Sequence, residues 1–316
     1  MRLIPLLPLL FTAVPIAAQD APEWARQGTE NATIRLFVRG DDFGNSQSSN
    51  LALSAALDAG LLGWVSVMVV GPWITETARI LERHPNTSIG LHLTLTSEWD
   101  QLRWRPLLSA IQVPTLVAPD GAFFKNYWLN SNSTQEQLAA LDPEARVRLS
   151  RIMAAELPDA QEAEAELRAQ VGRAMEMGLR IDYIDCHMGV ACLPPLRSII
   201  LQLAKELCVP IPENGWMGDE EVGFLVEEDA AATARNFRDL LEALEPGLYR
   251  VVTHPASNTP EARSMDSIVG APEARKRQAV LAALQDSEIQ QVITERKIEL
   301  VSVRDLWDYS TCQLKQ

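Results

Sequence analysis

The chain has 316 residues, of which 47% are apolar, enough for one large α/β domain or two small ones with a full core. Its formal net charge of -14 disfavours a nucleic-acid partner, since the sequence contains nothing like a basic footprint for phosphates. The same charge makes an anionic polymer a poor substrate, so a neutral substrate fits best.

The first 18 residues have the pattern of a secretory signal peptide. Arg2 precedes an apolar run over residues 3–18 that ends in Ile-Ala-Ala. This run is short for a membrane span and is interrupted by three prolines, although an uncleaved N-terminal anchor is the alternative. We therefore expect an exported protein, periplasmic or secreted, with no membrane span after signal removal.

Beyond the lead-in, short apolar runs alternate with helical patterns. The predicted strands cover residues 36–38, 64–70, 88–93, 181–185, 209–211 (weak), 248–253 and 298–301. The predicted helices cover residues 51–60, 74–83, 159–177, 195–207, 230–244, 272–285 and 287–296. Such alternation indicates parallel strands with helices outside, in an open doubly wound sheet or a closed barrel.

The first strand lacks the Gly-x-Gly-x-x-Gly sequence that follows it in dinucleotide-binding sheets. Polar residues at many strand ends favour a barrel instead. We predict a distorted (β/α) TIM-like barrel with about seven parallel strands and a long insertion after the third. Linkers and repeats are absent from the sequence, so residues 19–316 are predicted to form a single domain.

The insertion, residues 94–158, is rich in prolines and aromatic side chains. Its aromatic residues include Trp99, Trp104, Phe123, Phe124, Tyr127 and Trp128. Long loops in compact domains are usually functional or disordered, and this one holds too many aromatic residues for disorder. Two interpretations stay open: a hydrophobic cluster of its own, or a lid whose aromatic rings, such as Trp128, stack on a substrate.

Asp41 and Asp42 directly follow the first apolar strand. Two like charges at the end of a buried strand are costly unless something positive offsets them. A divalent metal would do so, with one carboxylate as its ligand and the other as a base. The alternative is a loop in which one aspartate caps the next helix and the other is solvated. Neighbours on a strand point to opposite sides, so we expect the two aspartates to have different roles.

Three of the four histidines lie at the C-terminal ends of predicted strands. They are His92, His187 and His254. The fourth, His84, precedes a proline at a helix end and is interpreted as structural or solvated. In parallel barrels the active site is built at this face from several strand ends. Imidazole nitrogens and a carboxylate oxygen suit zinc and related divalent ions, so the sequence predicts a metal site here.

The chain has four cysteines, at positions 186, 192, 208 and 312. They are too few for a disulfide scaffold, and their pairing cannot be deduced from the sequence. Cys186 ends an apolar strand, so the simplest interpretation is a buried free thiol. No Cys-x-x-Cys occurs, which disfavours a thiolate zinc site.

Taken together, these motifs resemble those of the carbohydrate deacetylases of the YdjC family, also described as ChbG/HpnK-like. The resembling segments are, in chain order, residues 41–44 with Asn50, 71–72, 90–96, 113–117, 120–124, 182–187 and 253–255. The resemblance extends from the first strand to the last. It implies a distorted (β/α) barrel that deacetylates N-acetylated sugars or oligosaccharides with a divalent metal ion, Mg or Zn.

The resemblance also implies roles for individual residues. The metal ligands would be Asp42, His92 and His187. Asp41 would be the general base that takes a proton from a metal-activated water, and His254 the acid that protonates the leaving amine. Asp185, considered from its position alone, either orients a ligand imidazole or is a strand-end carboxylate without a role.

The sequence departs from the family in two places. Residues 188–191 read Met-Gly-Val-Ala where many members have further histidines, which leaves the choice of sugar open. Residues 210–218 match no pattern of the family, and their Glu213 and Trp216 either shape the substrate pocket or form a turn. A homodimer is also left open. The competing functions are a metal hydrolase of another ester, amide or phosphoester, and a non-catalytic exported glycan-binding protein.

Overall fold

A computed structural model describes residues 33–99, 101–124, 158–212, 217–265 and 273–315. Seven strands of this part of the chain form one sheet. They are β1 (Ile34–Phe43), β2 (Trp64–Val67), β3 (Ser88–Leu93), β4 (Tyr183–Cys186), β5 (Glu220–Glu221), β6 (Gly247–Thr253) and β7 (Glu299–Leu300). All pairs are parallel, the order is β4-β3-β2-β1-β6-β5, and β7 pairs with the first part of β1.

Helices connect most of these strands. They are α1 (Gln47–Ala59), α2 (Ile74–Glu82), α3 (Ala160–Glu176), α4 (Pro194–Leu207), α5 (Ala230–Ala243), α6 (Pro260–Met265), α7 (Glu273–Leu284), α8 (Ser287–Glu295) and α9 (Val303–Leu306). Two 3₁₀ segments, Pro114–Leu116 and His187–Cys192, and an antiparallel pair, β8 (Trp307–Asp308) with β9 (Gln313–Leu314), complete the described elements. No helix within the described ranges is both long and apolar enough to cross a membrane.

The sheet is curled into a half-barrel, and alternate residues of β1 face its two sides. Leu36 and Val38 belong to the main core, which the helices share. Phe37 belongs to a second cluster, where its ring stacks on Trp64 at 4.1 Å. The period of two in a strand explains this division. The α/β fold with about seven parallel strands, predicted from the alternation, is therefore confirmed.

One predicted strand is replaced by another. Residues 209–211 are not a strand, although the backbone N–H of Ile184 in β4 donates to the carbonyl of Pro210 at 3.1 Å. Pro210 has no N–H and therefore cannot donate a ladder bond of its own. The fifth strand is instead the short β5, whose exposed Glu220 and Glu221 carry no apolar signal.

Helix α1 begins earlier than its apolar pattern predicts because Ser46 caps it. The Ser46 side chain accepts a hydrogen bond from the backbone N–H of Ser49, and Gly60 ends the helix with φ 83°. Helix α1 therefore follows the end of β1 after only a short turn. This connection places the helix N-terminus beside the strand end that carries Asp41 and Asp42.

Gly90 in β3 gives the ring of Tyr183 its place inside the half-barrel. A Cβ at position 90 would lie 2.1 Å from Cε2 of that ring, so any residue other than glycine would clash with it. The Tyr183 hydroxyl lies 3.0 Å from Ser66 Oγ, on β2. The interior thus changes from stacked aromatic rings to a polar layer toward the C-terminal strand ends.

The described part of the insertion is packed against the fold. Trp99, Trp104 and Phe123 are buried, and the indole N–H of Trp104 donates to the carbonyl of Thr96 at 2.8 Å. These three residues belong to the main core, so the interpretation as a separate hydrophobic cluster is wrong for them. Trp128 lies outside the described residues, so the lid stays a prediction.

Candidate active site

Three predicted metal ligands from different strands lie together. Asp42 belongs to β1, His92 to β3, and His187 directly follows β4; all three side chains are buried. One ligand atom from each lies within 4.8 Å of the others. Asp42 Oδ1 is 3.7 Å from His92 Nε2 and 3.4 Å from His187 Nδ1.

The two adjacent aspartates do not alternate as an ideal strand requires. The pairing of β1 with β2 shifts register between Gly40 and Phe43, and Asp42 has a left-handed φ of 70°. The irregularity brings both carboxylates to the same side of the sheet, toward His92. The expectation that alternation separates Asp41 from Asp42 is therefore wrong, and any difference in role comes from their partners.

Arg277, on α7, is the partner of the second oxygen of Asp42. Its Nη1 lies 3.0 Å from Asp42 Oδ2, while its Nη2 lies 3.2 Å from Glu98 Oε1. Its guanidinium also lies 4.8 Å from the ring centroid of Trp99. Burial raises the pKa of Asp42, but contact with His187 and the positive charges of His254 and Arg277 outweigh it and hold that pKa well below its usual range.

Asp41 is held by a different arginine. Its two carboxylate oxygens lie 2.7 and 2.8 Å from Nε and Nη2 of Arg39, two residues earlier on the same strand. His254 follows β6, and its Nε2 lies 4.0 Å from Asp41 Oδ2. Asp41 is buried, whereas 46% of the His254 side chain is exposed. Asp41 and His254 thus lie side by side, one enclosed and the other facing solvent.

Asp185 holds the ring of His92 from behind. Its Oδ1 lies 3.0 Å from His92 Nδ1, while its Oδ2 accepts from Ser66 Oγ at 2.7 Å and lies 3.1 Å from Arg39 Nη1. This geometry matches the orienting alternative predicted for Asp185. Burial lowers the pKa of His92, but the carboxylates of Asp185 and Asp41 outweigh it and raise the pKa to about 9.

Asp185 carries the opposite shift. Burial raises its pKa, but the charges of His92 and Arg39 outweigh burial and lower the pKa to about 2. Asp185 is therefore charged across the neutral range and favours a proton on the neighbouring imidazole. A cation that binds His92 at Nε2 must displace the proton from that nitrogen.

Asp42, His92 and His187 fit a divalent metal ion. Asp42 Oδ1 and His187 Nε2 are buried and have no hydrogen-bond partner among the described residues, a costly state that a bound cation would relieve. A carboxylate with two imidazoles is a donor set suited to zinc and related ions. A second group, Asp41, His92 and Asp185, is also compact, but Arg39 already pairs with both of its carboxylates and supplies part of the positive charge that a cation would bring.

Sequence reasoning missed the two arginines of the site. Arg39 could have been found, because residues i and i+2 of a strand share a side and Asp41 is the acidic partner. Arg277 gave no such signal, since 235 positions separate it from Asp42. Of the other predicted residues, Trp128, Glu213 and Trp216 lie outside the described residues.

The four cysteines form two disulfides. One joins Cys186 to Cys192, and the other joins Cys208 to Cys312. The interpretation of Cys186 as a free thiol is therefore wrong. A burial pattern cannot distinguish a thiol from a disulfide, because both are apolar and buried.

Comparison of the whole sequence with known protein families identifies the family of this chain. The family described as YdjC-like protein matches residues 35–295. The chain belongs to the YdjC-like family. This confirms the resemblance seen in the motifs.

The alignments with relatives of this YdjC-like chain cover most of both sequences. A carbohydrate deacetylase of Brevibacillus brevis is 28% identical over 287 residues, covering 86% of this chain and all of the relative. A carbohydrate deacetylase of Thermus thermophilus is also 28% identical, covering 82% of this chain and 89% of the relative. Among solved structures, a putative cellobiose-phosphate cleavage protein of Enterococcus faecalis superposes with a TM-score of 0.65 at 22% identity, covering 86% of this chain and 98% of the other. This last likeness supports the fold alone.

Proposed function

We propose that this YdjC-like protein is a metal-dependent hydrolase that removes acetyl groups from N-acetylated sugars or oligosaccharides. The observation that carries the proposal is the compact buried group of Asp42, His92 and His187, with Asp41 and His254 beside it. The curated relatives named carbohydrate deacetylase support the same reaction. Deacetylation of an amide is hydrolysis of a C–N bond.

Asp42, His92 and His187 would hold the ion, Mg or Zn. When bound, it supplies a Lewis acid for the acetyl carbonyl and lowers the pKa of water. Asp42 can offer Oδ1 to a cation while Arg277 keeps Oδ2. Asp185 fixes the orientation of the His92 ring, so that Nε2 faces Asp42 and the site.

Asp41 and His254 would move the protons of the reaction. Asp41 is held by Arg39 with its carboxylate against the site, where it accepts the proton of the attacking water. His254 is the more exposed of the pair and faces solvent, so we assign to it the donation of the proton that the leaving amine requires.

The substrate is proposed to be neutral. The chain carries a net charge of -14, and the two arginines of the site, Arg39 and Arg277, are engaged by carboxylates. Neither observation favours a phosphoester, which needs cationic partners for its oxygens. A glycan-binding protein without activity would have no use for Asp41 and His254, and the chain has both.

Export to an oxidising compartment is a further part of the proposal. The apolar run after Arg2 supports a signal peptide. The disulfides Cys186–Cys192 and Cys208–Cys312 support the same compartment, because disulfides persist outside the reducing cytosol. Fractionation of cells that express the full chain tests this part separately.

The test of the activity is acetate release from chitooligosaccharides by purified protein, with metal analysis of the same sample. We expect acetate release that a chelator abolishes and that Zn²⁺ or Mg²⁺ restores, and no release by Asp42→Ala. Binding of the oligosaccharide without acetate release, in a metal-loaded sample, would support the glycan-binding alternative. Hydrolysis of a phosphoester in place of the acetamide would support the other hydrolase.

A further inference from the structure

The disulfide Cys186–Cys192 encloses one of the three proposed ligands. Cys186 is the last residue of β4, and His187 is the next residue in the chain. Cys192 ends the 3₁₀ segment His187–Cys192, which leads into α4. The cross-link therefore closes a short loop over residues 187–191, and the first residue of this loop is the buried His187.

His187 has fewer partners to orient it than His92 has. The ring of His92 is held through Nδ1 by Asp185. His187 has only the 3.4 Å contact of its Nδ1 with Asp42 Oδ1, and its Nε2 lacks a hydrogen-bond partner among the described residues. Edge contacts with the rings of His92 and Trp104 complete its surroundings. The position of His187 thus depends on its backbone more than the position of His92 does.

That backbone is strained in the loop that the disulfide closes. Met188 and Gly189 are both left-handed, with φ of 50° and 70°. A left-handed conformation is unfavourable for a residue with a side chain such as Met188, and it persists only where neighbouring structure holds it. Cys186 and Cys192 are joined across this stretch, so the disulfide supplies that constraint directly.

We propose that the Cys186–Cys192 disulfide is a positioning device for His187, which keeps the imidazole where a divalent cation needs it. Opening the disulfide lets the loop relax and weakens cation binding without unfolding the protein. The inference rests on the metal site of the proposed function. A dithiol opens the bond with balanced electrons: the sulfur–sulfur bond breaks, two thiols form, and the dithiol becomes a disulfide.

The chain offers a matched control in its other disulfide. Cys208–Cys312 joins the end of α4 to the C-terminal segment, more than a hundred positions away in sequence and outside the site. Alanine is the suitable replacement in both pairs, because it adds neither a polar group nor a metal-binding thiol. The variants are Cys186→Ala with Cys192→Ala, and Cys208→Ala with Cys312→Ala.

Titration with Co²⁺, followed by visible absorption, measures affinity and ligand geometry together. We expect loss of the first disulfide to weaken Co²⁺ binding by about 10–100-fold and to change the absorption bands, the range seen when support for a metal ligand is removed. The control pair should keep the Co²⁺ affinity and spectrum of the parent protein, even where its melting temperature falls.

A second measurement applies if the first double variant fails to fold. The Cys208→Ala, Cys312→Ala protein keeps only the Cys186–Cys192 bond. Reducing this bond, capping both thiols with iodoacetamide and removing the reagents should weaken Co²⁺ binding in proportion to the fraction of bonds opened, with no free thiol left to bind the ion. Equal Co²⁺ affinity with and without the Cys186–Cys192 bond would overturn this inference alone. A parent protein that binds no Co²⁺ would overturn the metal site as well.

Discussion

The guanidinium of Arg277 lies 3.0 Å from Oδ2 of Asp42, so one oxygen of this carboxylate is already paired with a positive charge. The other oxygen, Oδ1, faces His92 and His187. Arg277 thereby divides the carboxylate into an occupied half and a half that a cation can use. It also offsets the buried charge of Asp42 when no cation is bound.

Replacing Arg277 with Met removes the charge while it keeps most of the side-chain length. We expect the metal-free variant to lose about 3–5 kcal/mol of its free energy of unfolding, because Asp42 is left buried without its partner. A divalent ion would supply a replacement charge. Calorimetry should therefore show that saturating Zn²⁺ raises the melting temperature more in Arg277→Met than in the parent protein.

The control for this experiment is Arg275→Met, on the same helix. Arg275 pairs with Glu228 at the surface, where about half of each side chain is exposed. Exposed ion pairs contribute little, so this variant should stay within about 1 kcal/mol of the parent protein with or without Zn²⁺. Equal Zn²⁺-induced shifts for Arg277→Met and the parent protein would show that the charge of Arg277 does not compete with the ion.

Much of the site was predictable because parallel strands end together. Asp42, His92 and His187 follow apolar runs, and a half-barrel brings those ends to one edge. The partners were less predictable. Arg277 and the Cys208–Cys312 pairing depend on contacts between distant parts of the chain, which no local pattern encodes.

The conformation of Asp42 was also beyond a reading of periodicity. Alternation along a strand assumes a regular backbone, and the left-handed φ at Asp42 breaks that assumption at the residue that matters most. Gly44, which follows with φ 98°, marks a turn, and its N–H donates to Asn50 Oδ1 at 2.9 Å. Sequence alone indicates a turn near Gly44 but not where the strand becomes irregular.

Asp41→Asn tests the proposed separation between proton transfer and metal binding. We expect acetate release to fall by about 10²–10⁴-fold, because an amide cannot accept the proton of the attacking water. Co²⁺ affinity should be retained, since the carboxylate that faces the histidines is that of Asp42. His92→Ala and His187→Ala should lose both properties. Unchanged acetate release in all three variants would refute the assigned roles.

His254→Gln tests proton donation to the leaving group. Hydrolysis of an acetylated amino sugar should fall by at least about 10²-fold, because the amine cannot leave without a proton. Hydrolysis of 4-nitrophenyl acetate should fall much less, since its phenolate leaves without one. His84→Gln is the control, because His84 lies 3.5 Å from Asp58 and belongs to another part of the surface. Equal losses with both substrates would argue that His254 only binds substrate.

The pKa of His92 predicts how pH affects the metal-free protein and its metal affinity. Folding raises this pKa from 6.5 to about 9, so the folded state favours the charged ring. The stability that the charged His92 ring contributes is fully present below about pH 6.5 and is lost as pH rises through about 9.

A cation must displace the same proton, so Co²⁺ affinity should rise by up to about tenfold per pH unit over this interval. His92→Gln should remove this stability change, and a parent protein whose Co²⁺ affinity is flat over the interval would contradict the prediction.

Gly90→Ala tests the packing that supports this polar layer. The new methyl group would fall 2.1 Å from the Tyr183 ring, so the ring or β3 must move, and we expect a loss of about 1–3 kcal/mol in the free energy of unfolding. Gly172→Ala is the matched control, because no atom outside its helix lies within 4 Å and alanine favours a helix; it should be neutral or stabilising. Denaturant titration measures the free energy of unfolding of both variants.

Combining Gly90→Ala with Tyr183→Leu should recover part of the loss, since the ring that obstructs the methyl group is then gone. An unaltered midpoint for Gly90→Ala alone would mean that β3 can shift freely and that Tyr183 is not confined by it.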